Sequence, residues 1–176
     1  MTQSTLDAAE PVLGSGNATL ALQNEESAPP AHPRPRVYAA SRASIPQRPA
    51  LWRALRAQGA CIVSSWIDAS EDEPDTDLST LWARIEVEIR SCDRLVLYAR
   101  PEDFPLKGAL VEVGMALGMG KPVVVVLEDC ELNPGTLRPL GSWCRHPDVR
   151  FEHDLRRAVL SPRNAAESGK ALCAEA

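Results

Sequence analysis

Between Pro105 and Leu127 the chain carries a helix-length segment with one carboxylate, a Gly120-Lys121-Pro122 stop, and four consecutive valines from Val123 to Val126. A run of β-branched residues with no polar alternation suits a strand covered on both faces, which is the condition of a parallel sheet rather than of a half-exposed antiparallel one. The glycine and proline end the preceding helix before the strand begins. On a helical wheel Leu110, Val113 and Leu117 share one face, and Gly108, Glu112, Met115, Ala116 and Met119 the opposite one. Both faces are apolar apart from Glu112, and a helix apolar all round is expected to be buried. A carboxylate there must be paired, protonated or facing a cavity, because burying an unpaired charge is costly. Glu112 is therefore the first candidate for chemistry.

The rest of the chain repeats this alternation. Residues 1 to 35 mix Ser, Thr, Asn, Glu, Ala and Pro without apolar periodicity, so a disordered leader is expected. A strand is expected over Arg36 to Ser41, a helix after Pro46 through Leu51, Trp52, Leu55 and Arg56 to a stop at Gly59, and a second strand over Ala60 to Trp66. Asp68 to Asp77 reads as an acidic loop, with Asp77 or Ser79 capping a helix through Leu81, Trp82, Ile85 and Ile89. A third strand spans Arg94 to Ala99 and a fourth Val123 to Leu127. Residues 128 to 148 read as irregular, Val149 to Phe151 as a short fifth strand, His153 to Leu160 as a last helix, and 161 to 176 as a disordered tail. One domain over residues 36 to 160 follows. Its class is α/β, a doubly wound, flavodoxin-like parallel sheet of four to five strands with helices on both faces.

Composition narrows the function. A formal net charge of −5 in 176 residues, with no basic block, argues against a nucleic-acid partner held through phosphate neutralisation. The five cysteines are an odd number without a close pair, which suits a reduced cytoplasm. No run approaches the ~20 apolar residues of a membrane span, and the N-terminus lacks the basic-then-apolar order of a signal peptide. His146 and His153 have no partner at metal-ligand spacing, so neither a metal nor a cofactor is expected.

In open doubly wound sheets ligands bind beyond the carboxyl ends of the strands, where the strand order reverses. Three loops should meet there: Ser41 to Arg48, Trp66 to Asp77, and Arg100 to Lys107. Glu112 lies in the second turn of the helix leaving the third loop. Gly108, one turn earlier on the same face, leaves room for a ligand beside the carboxylate.

Cys92-Asp93-Arg94-Leu95-Val96-Leu97-Tyr98, then Gly108-x-x-x-Glu112-x-Gly114-x-Ala116, then Gly120-Lys121-Pro122-Val123, resembles the nucleoside 2-deoxyribosyltransferase family and its relatives that hydrolyse nucleoside monophosphates. The resemblance covers roughly residues 36 to 130. It implies that Glu112 attacks the anomeric carbon of a sugar and that Gly108 borders the sugar or its phosphate. The chain departs from the family at Leu106-Lys107-Gly108-Ala109, where a stretch of the type Asp-Ser-Gly-Thr is common, and at Ala40-Ser41-Arg42-Ala43-Ser44, where a Gly-Pro pair is common. The family's base-handling aspartate has no counterpart in register in the helix before the third strand, where Glu86 and Glu88 stand nearby.

The acids in the converging loops are Asp68, Glu102 and Asp103, with Asp103 and Asp68 first by position as donors of a proton to a leaving base. Arg42 and Lys107 are candidates for a phosphate or base carbonyl, with Ser41 and Ser44 as neutral donors. Tyr38 and Trp66 stand where they could stack on a base. Each has a plainer alternative: Glu112 salt-bridged to Lys107 or Arg42, Asp68 in a solvated loop, Tyr38 and Trp66 in the core. The function that follows is cleavage or transfer of an N-glycosidic bond on a nucleoside, deoxynucleoside or 5′-monophosphate through a glutamate nucleophile. The alternative is a non-catalytic nucleotide-binding or sensing module of TIR-like architecture. The expected partners are a small-molecule nucleoside or nucleotide and further copies of the chain, with no nucleic acid and no membrane.

Overall fold

The computed structural model describes residues 34–69 and 77–162. The expected leader up to residue 33, residues 70–76 of the acidic loop, and the tail from 163 lie outside the described residues. Among the described residues five strands and four α-helices follow in the order β1 (Arg36–Ala40), α1 (Gln47–Ala57), β2 (Cys61–Ile62), α2 (Leu78–Ser91), β3 (Arg94–Ala99), α3 (Gly108–Gly118), β4 (Val123–Leu127), β5 (Val149–Phe151) and α4 (Leu155–Leu160). All pairings are parallel and the sheet order is β2-β1-β3-β4-β5. The order in which the chain adds strands reverses between β1 and β3. The register there sets Tyr38 beside Leu95 and Ala40 beside Leu97.

The period of two along the strands sorts their side chains into two cores. Tyr38, Ala40, Leu95, Leu97, Ala99, Val123 and Val125 face α2 and α3, meeting Ile85 and Ile89 of the first and Ala109, Val113 and Ala116 of the second. Val37, Ala39, Val96, Tyr98, Val124 and Val126 face α1 and α4, meeting Trp52, Leu55, Ala158 and Val159. Each fully buried Val, Leu or Ile is worth about 1.5–3 kcal/mol against exposure. The uninterrupted runs of β3 and β4 are thus the physical signature of a sheet covered on both sides.

Helix ends follow local rules. The Asp77 carboxylate caps α2, accepting from the backbone N–H groups of Ser79 and Thr80, and Asp154 caps α4 through Arg156 and Arg157. Helices α1 and α3 close on glycines with left-handed φ, Gly59 at 94° and Gly120 at 67°. There the next residues, Ala60 and Lys121, donate back to Leu55 and Ala116 at 3.1 and 2.9 Å.

Three expectations are corrected. Strand β2 is two residues long instead of seven, because the Ser64 hydroxyl takes the Ala39 N–H at 2.7 Å and Ser65–Asp68 then coils into a 3-10 turn. The last helix starts at Leu155 rather than His153, one residue past its Asp154 cap. Helix α3 is not buried all round: Ala109, Glu112, Val113 and Ala116 form the buried stripe, whereas Val111 is 52% exposed. A sheet and one neighbouring helix cover only one side of an α-helix, so an apolar sequence alone does not bury the rest.

Candidate active site

Tyr38 sits at the middle of β1 on the α2/α3 face, and its hydroxyl donates to Glu112 Oε1 at 3.0 Å. The wound sheet makes this contact. Residue 38 points under α3 because β1 lies beside β3, and position 112 returns to the sheet one turn after the helix begins at Gly108. Glu112 is 8% exposed. Burial pushes its carboxyl up to about 8; the Tyr38 hydrogen bond opposes the rise and the nearby charge of Glu88 adds to it. Burial, reinforced by Glu112 and Glu88, holds the Tyr38 hydroxyl far above its ordinary value. Near neutrality the resting pair is therefore a carboxylic acid beside a neutral phenol. Of the three fates open to a carboxylate on an apolar helix, Glu112 combines a hydrogen-bonded partner with burial that favours the protonated form.

The rival ion pairs are not made. Arg42 donates to the backbone oxygens of Glu102 and Phe104 at 3.1 and 3.5 Å and to Ser44 Oγ at 3.1 Å, tying the first loop to the third. Lys107 is exposed at the N-terminus of α3 and has a left-handed φ of 32°. A Cβ built on Gly108 would meet nothing within 4 Å, so the space beside the first turn is open.

Asp103 was expected to donate a proton to a leaving base. Its carboxylate is fully buried and receives Arg48 Nε at 2.9 and 3.0 Å, Arg48 Nη2 at 2.7 Å and the Arg100 N–H at 2.7 Å. Four charge-assisted contacts in a dry environment make it a fixed anchor. The Arg48 guanidinium also lies 5.3 Å over the Tyr98 ring. Sequence reading missed Arg48, which carries no motif and acquires its role only when α1 brings it over the third loop. Asp68 is exposed and pairs with Arg56 at 2.6 Å. The Ser41 hydroxyl is buried and accepts from Trp52 Nε1 at 2.8 Å, and Trp66 Nε1 donates to the Ala39 oxygen at 2.8 Å while its ring packs against both cores. The first and third loops are tied together by Arg42 and Arg48, Glu112 pairs with Tyr38, and Asp103 and Asp68 are each held by an arginine.

Among the described residues no group of three or more His, Cys, Asp or Glu side chains could hold a metal ion, and no helix is long and apolar enough to cross a membrane.

No protein-family model matches the chain, and no curated protein matches it. Solved structures do. A 2-deoxyribosyltransferase from Bacillus psychrosaccharolyticus superposes with a TM-score of 0.51 at 14% identity, covering 68% of this chain and 86% of the other. A CMP N-glycosidase from Clostridium botulinum matches with a TM-score of 0.42 at 16% identity, over 68% and 88% of the two chains. A 2-deoxyribosyltransferase from Leishmania mexicana gives 0.41 at 22% identity, over 56% and 67%. The class defined is a five-stranded, all-parallel α/β fold of the flavodoxin-like kind, with a buried Tyr-Glu pair on β1 and α3. Within that class the resemblance is to the nucleoside deoxyribosyltransferase architecture, and at these identities it is a likeness of structure alone.

Proposed function

We propose that the chain cleaves or transfers the N-glycosidic bond of a nucleoside or nucleoside 5′-monophosphate, with Glu112 as nucleophile. The observation that carries this reading is the Glu112 carboxyl held by Tyr38 where α3 leaves the switch between β1 and β3, next to the open space at Gly108. The shared architecture of a 2-deoxyribosyltransferase supports it.

The ionised Glu112 attacks C1′, a glycosyl ester forms as the C1′–N bond breaks, and water or a second base resolves the ester. Tyr38 favours the attacking form, because a hydroxyl donating to a carboxylate stabilises the charge. Glu112 enters the reaction only after losing its resting proton, so base release should rise with pH toward about 8. Asp103 and Glu102 are both held on Arg48 and Asp68 on Arg56, so a loop acid can protonate the departing base only once its ion pair opens. Exposed Lys107, at the start of α3, is the candidate to hold a 5′-phosphate.

The test is incubation of the purified protein with a panel of nucleosides, deoxynucleosides and their monophosphates while free base is measured. Release that disappears in Glu112→Gln supports the reading, and unchanged release in that variant refutes the nucleophile. Ligand binding without release in the parent chain favours the sensing alternative.

A further inference from the structure

The third loop leads from the carboxyl end of β3 into α3, so it sets where that helix starts and where Glu112 stands. Two of its points are fixed by side chains: Asp103 is gripped by Arg48, and Leu106 is 3% exposed in the α2/α3 core. Between them the backbone oxygens of Glu102 and Phe104 receive a single guanidinium, that of Arg42 in the first loop, at 3.1 and 3.5 Å. Among the described residues neither oxygen has another hydrogen-bond donor. Arg42 Nε donates to Ser44 Oγ at 3.1 Å, and the Arg42 oxygen closes a turn with the Ile45 N–H at 3.1 Å. The fork is thus oriented from within its own loop.

The joint between the third loop and α3 is Lys107. Its φ of 32° and ψ of −101° form a backbone conformation that residues with a side chain rarely adopt. Such a conformation persists only where the chain on either side holds it. On the helix side the Lys107 oxygen accepts the Leu110 and Val111 N–H groups at 3.1 and 3.4 Å, and the Leu106 oxygen accepts the Ala109 N–H at 2.9 Å. On the loop side the hold is Leu106 in the core and, three residues before the joint, the Arg42 grip on Phe104.

We propose that Arg42 is a positioning residue for Glu112: it clamps the first loop onto the third and thereby keeps the Lys107 joint in the conformation that starts α3 at Gly108. Glu112 then follows one turn on. The acceptors of Arg42 are neutral carbonyl and hydroxyl oxygens, so its removal leaves no buried charge unpaired and the fold should survive the loss. The hold on the joint stands without any catalytic role. Its consequence for turnover rests on the glycosyl-transfer reading above, because a displacement of about 1 Å near reacting groups can cost about a hundredfold in rate.

The experiment is amide hydrogen exchange on the full chain for the parent, Arg42→Ala and Arg42→Lys. In Arg42→Ala the Ala109, Leu110 and Val111 amides should exchange about tenfold faster or more, while the amides of β3 and β4, which open with the whole fold, keep their rates. No rise at α3, or a rise shared equally by β3 and β4, overturns the proposal. Arg42→Lys keeps the charge and loses the fork, so it should show most of the same rise. Parental rates in the lysine variant would mean that charge alone suffices, which refutes the clamp. Where base release is found, kcat of Arg42→Ala should drop about tenfold or more with KM little changed. A rise in KM alone makes Arg42 a ligand contact and overturns its positioning role, as does an unchanged kcat. If no substrate is cleaved, the enzyme reading fails while the exchange rates still decide the joint. Should Arg42→Ala not fold, the lysine variant carries the same test.

Discussion

Replacing Glu112 by Gln should change stability in a way that depends steeply on pH. In the unfolded chain this carboxyl titrates near its ordinary 4.5, and in the folded chain near about 8. A carboxyl held above its ordinary value keeps a proton that the unfolded chain releases. Its contribution is present in full below about pH 4.5 and is lost as the pH climbs through about 8. Each pH unit of that interval is worth about 1.4 kcal/mol, so burying Glu112 costs about 3 kcal/mol at pH 7 and at most about 5 kcal/mol above pH 8, relative to a group that never ionises. Glutamine is such a group, and its side-chain oxygen still accepts from Tyr38. Urea unfolding of the two chains across this range should give curves that coincide near pH 4.5 and then diverge, with the variant the more stable by a few kcal/mol at pH 8. Parallel curves, or a variant less stable at every pH, would show that Glu112 is ionised and compensated in the folded chain, and the protonated Tyr38-Glu112 pair would have to be abandoned.

Asp103→Asn removes the fully buried counter-charge of Arg48, leaving only the half-exposed Glu102, and should destabilise the fold by about 3 kcal/mol by urea or thermal melting; a loss near zero would mean that Glu102 and water satisfy the guanidinium. Gly108→Ala meets no neighbour and should keep or raise the melting temperature, since alanine is the better helix former, yet weaken nucleoside binding in calorimetry. Equal binding by that variant and the parent would place the ligand elsewhere. Lys107→Ala should lower affinity for a nucleoside monophosphate about tenfold or more while sparing the matching nucleoside, and equal losses for both ligands would remove the phosphate role.

The sequence alone determined the strand runs at Arg94–Ala99 and Val123–Leu127, the helix between them, the Asp77 cap and the glycine stops at positions 59 and 120. These are local: periodicity, capping and left-handed φ are settled by residues within a turn or two of each other. Glu112 was singled out for the same reason, as one charge on an apolar helix. Its partner was not legible, because Tyr38 lies 74 residues away and reaches Glu112 only through the placement of β1 beside β3. Asp103 looked free in its loop until α1 set Arg48, 55 residues earlier, against it. The shortness of β2 likewise came from a single hydroxyl, Ser64, reaching a neighbouring strand. Tertiary structure decided which carboxylate is buried beside a tyrosine, which is fixed in an ion pair and which stays in solvent, because desolvation and partner choice depend on neighbours that only the strand order brings together.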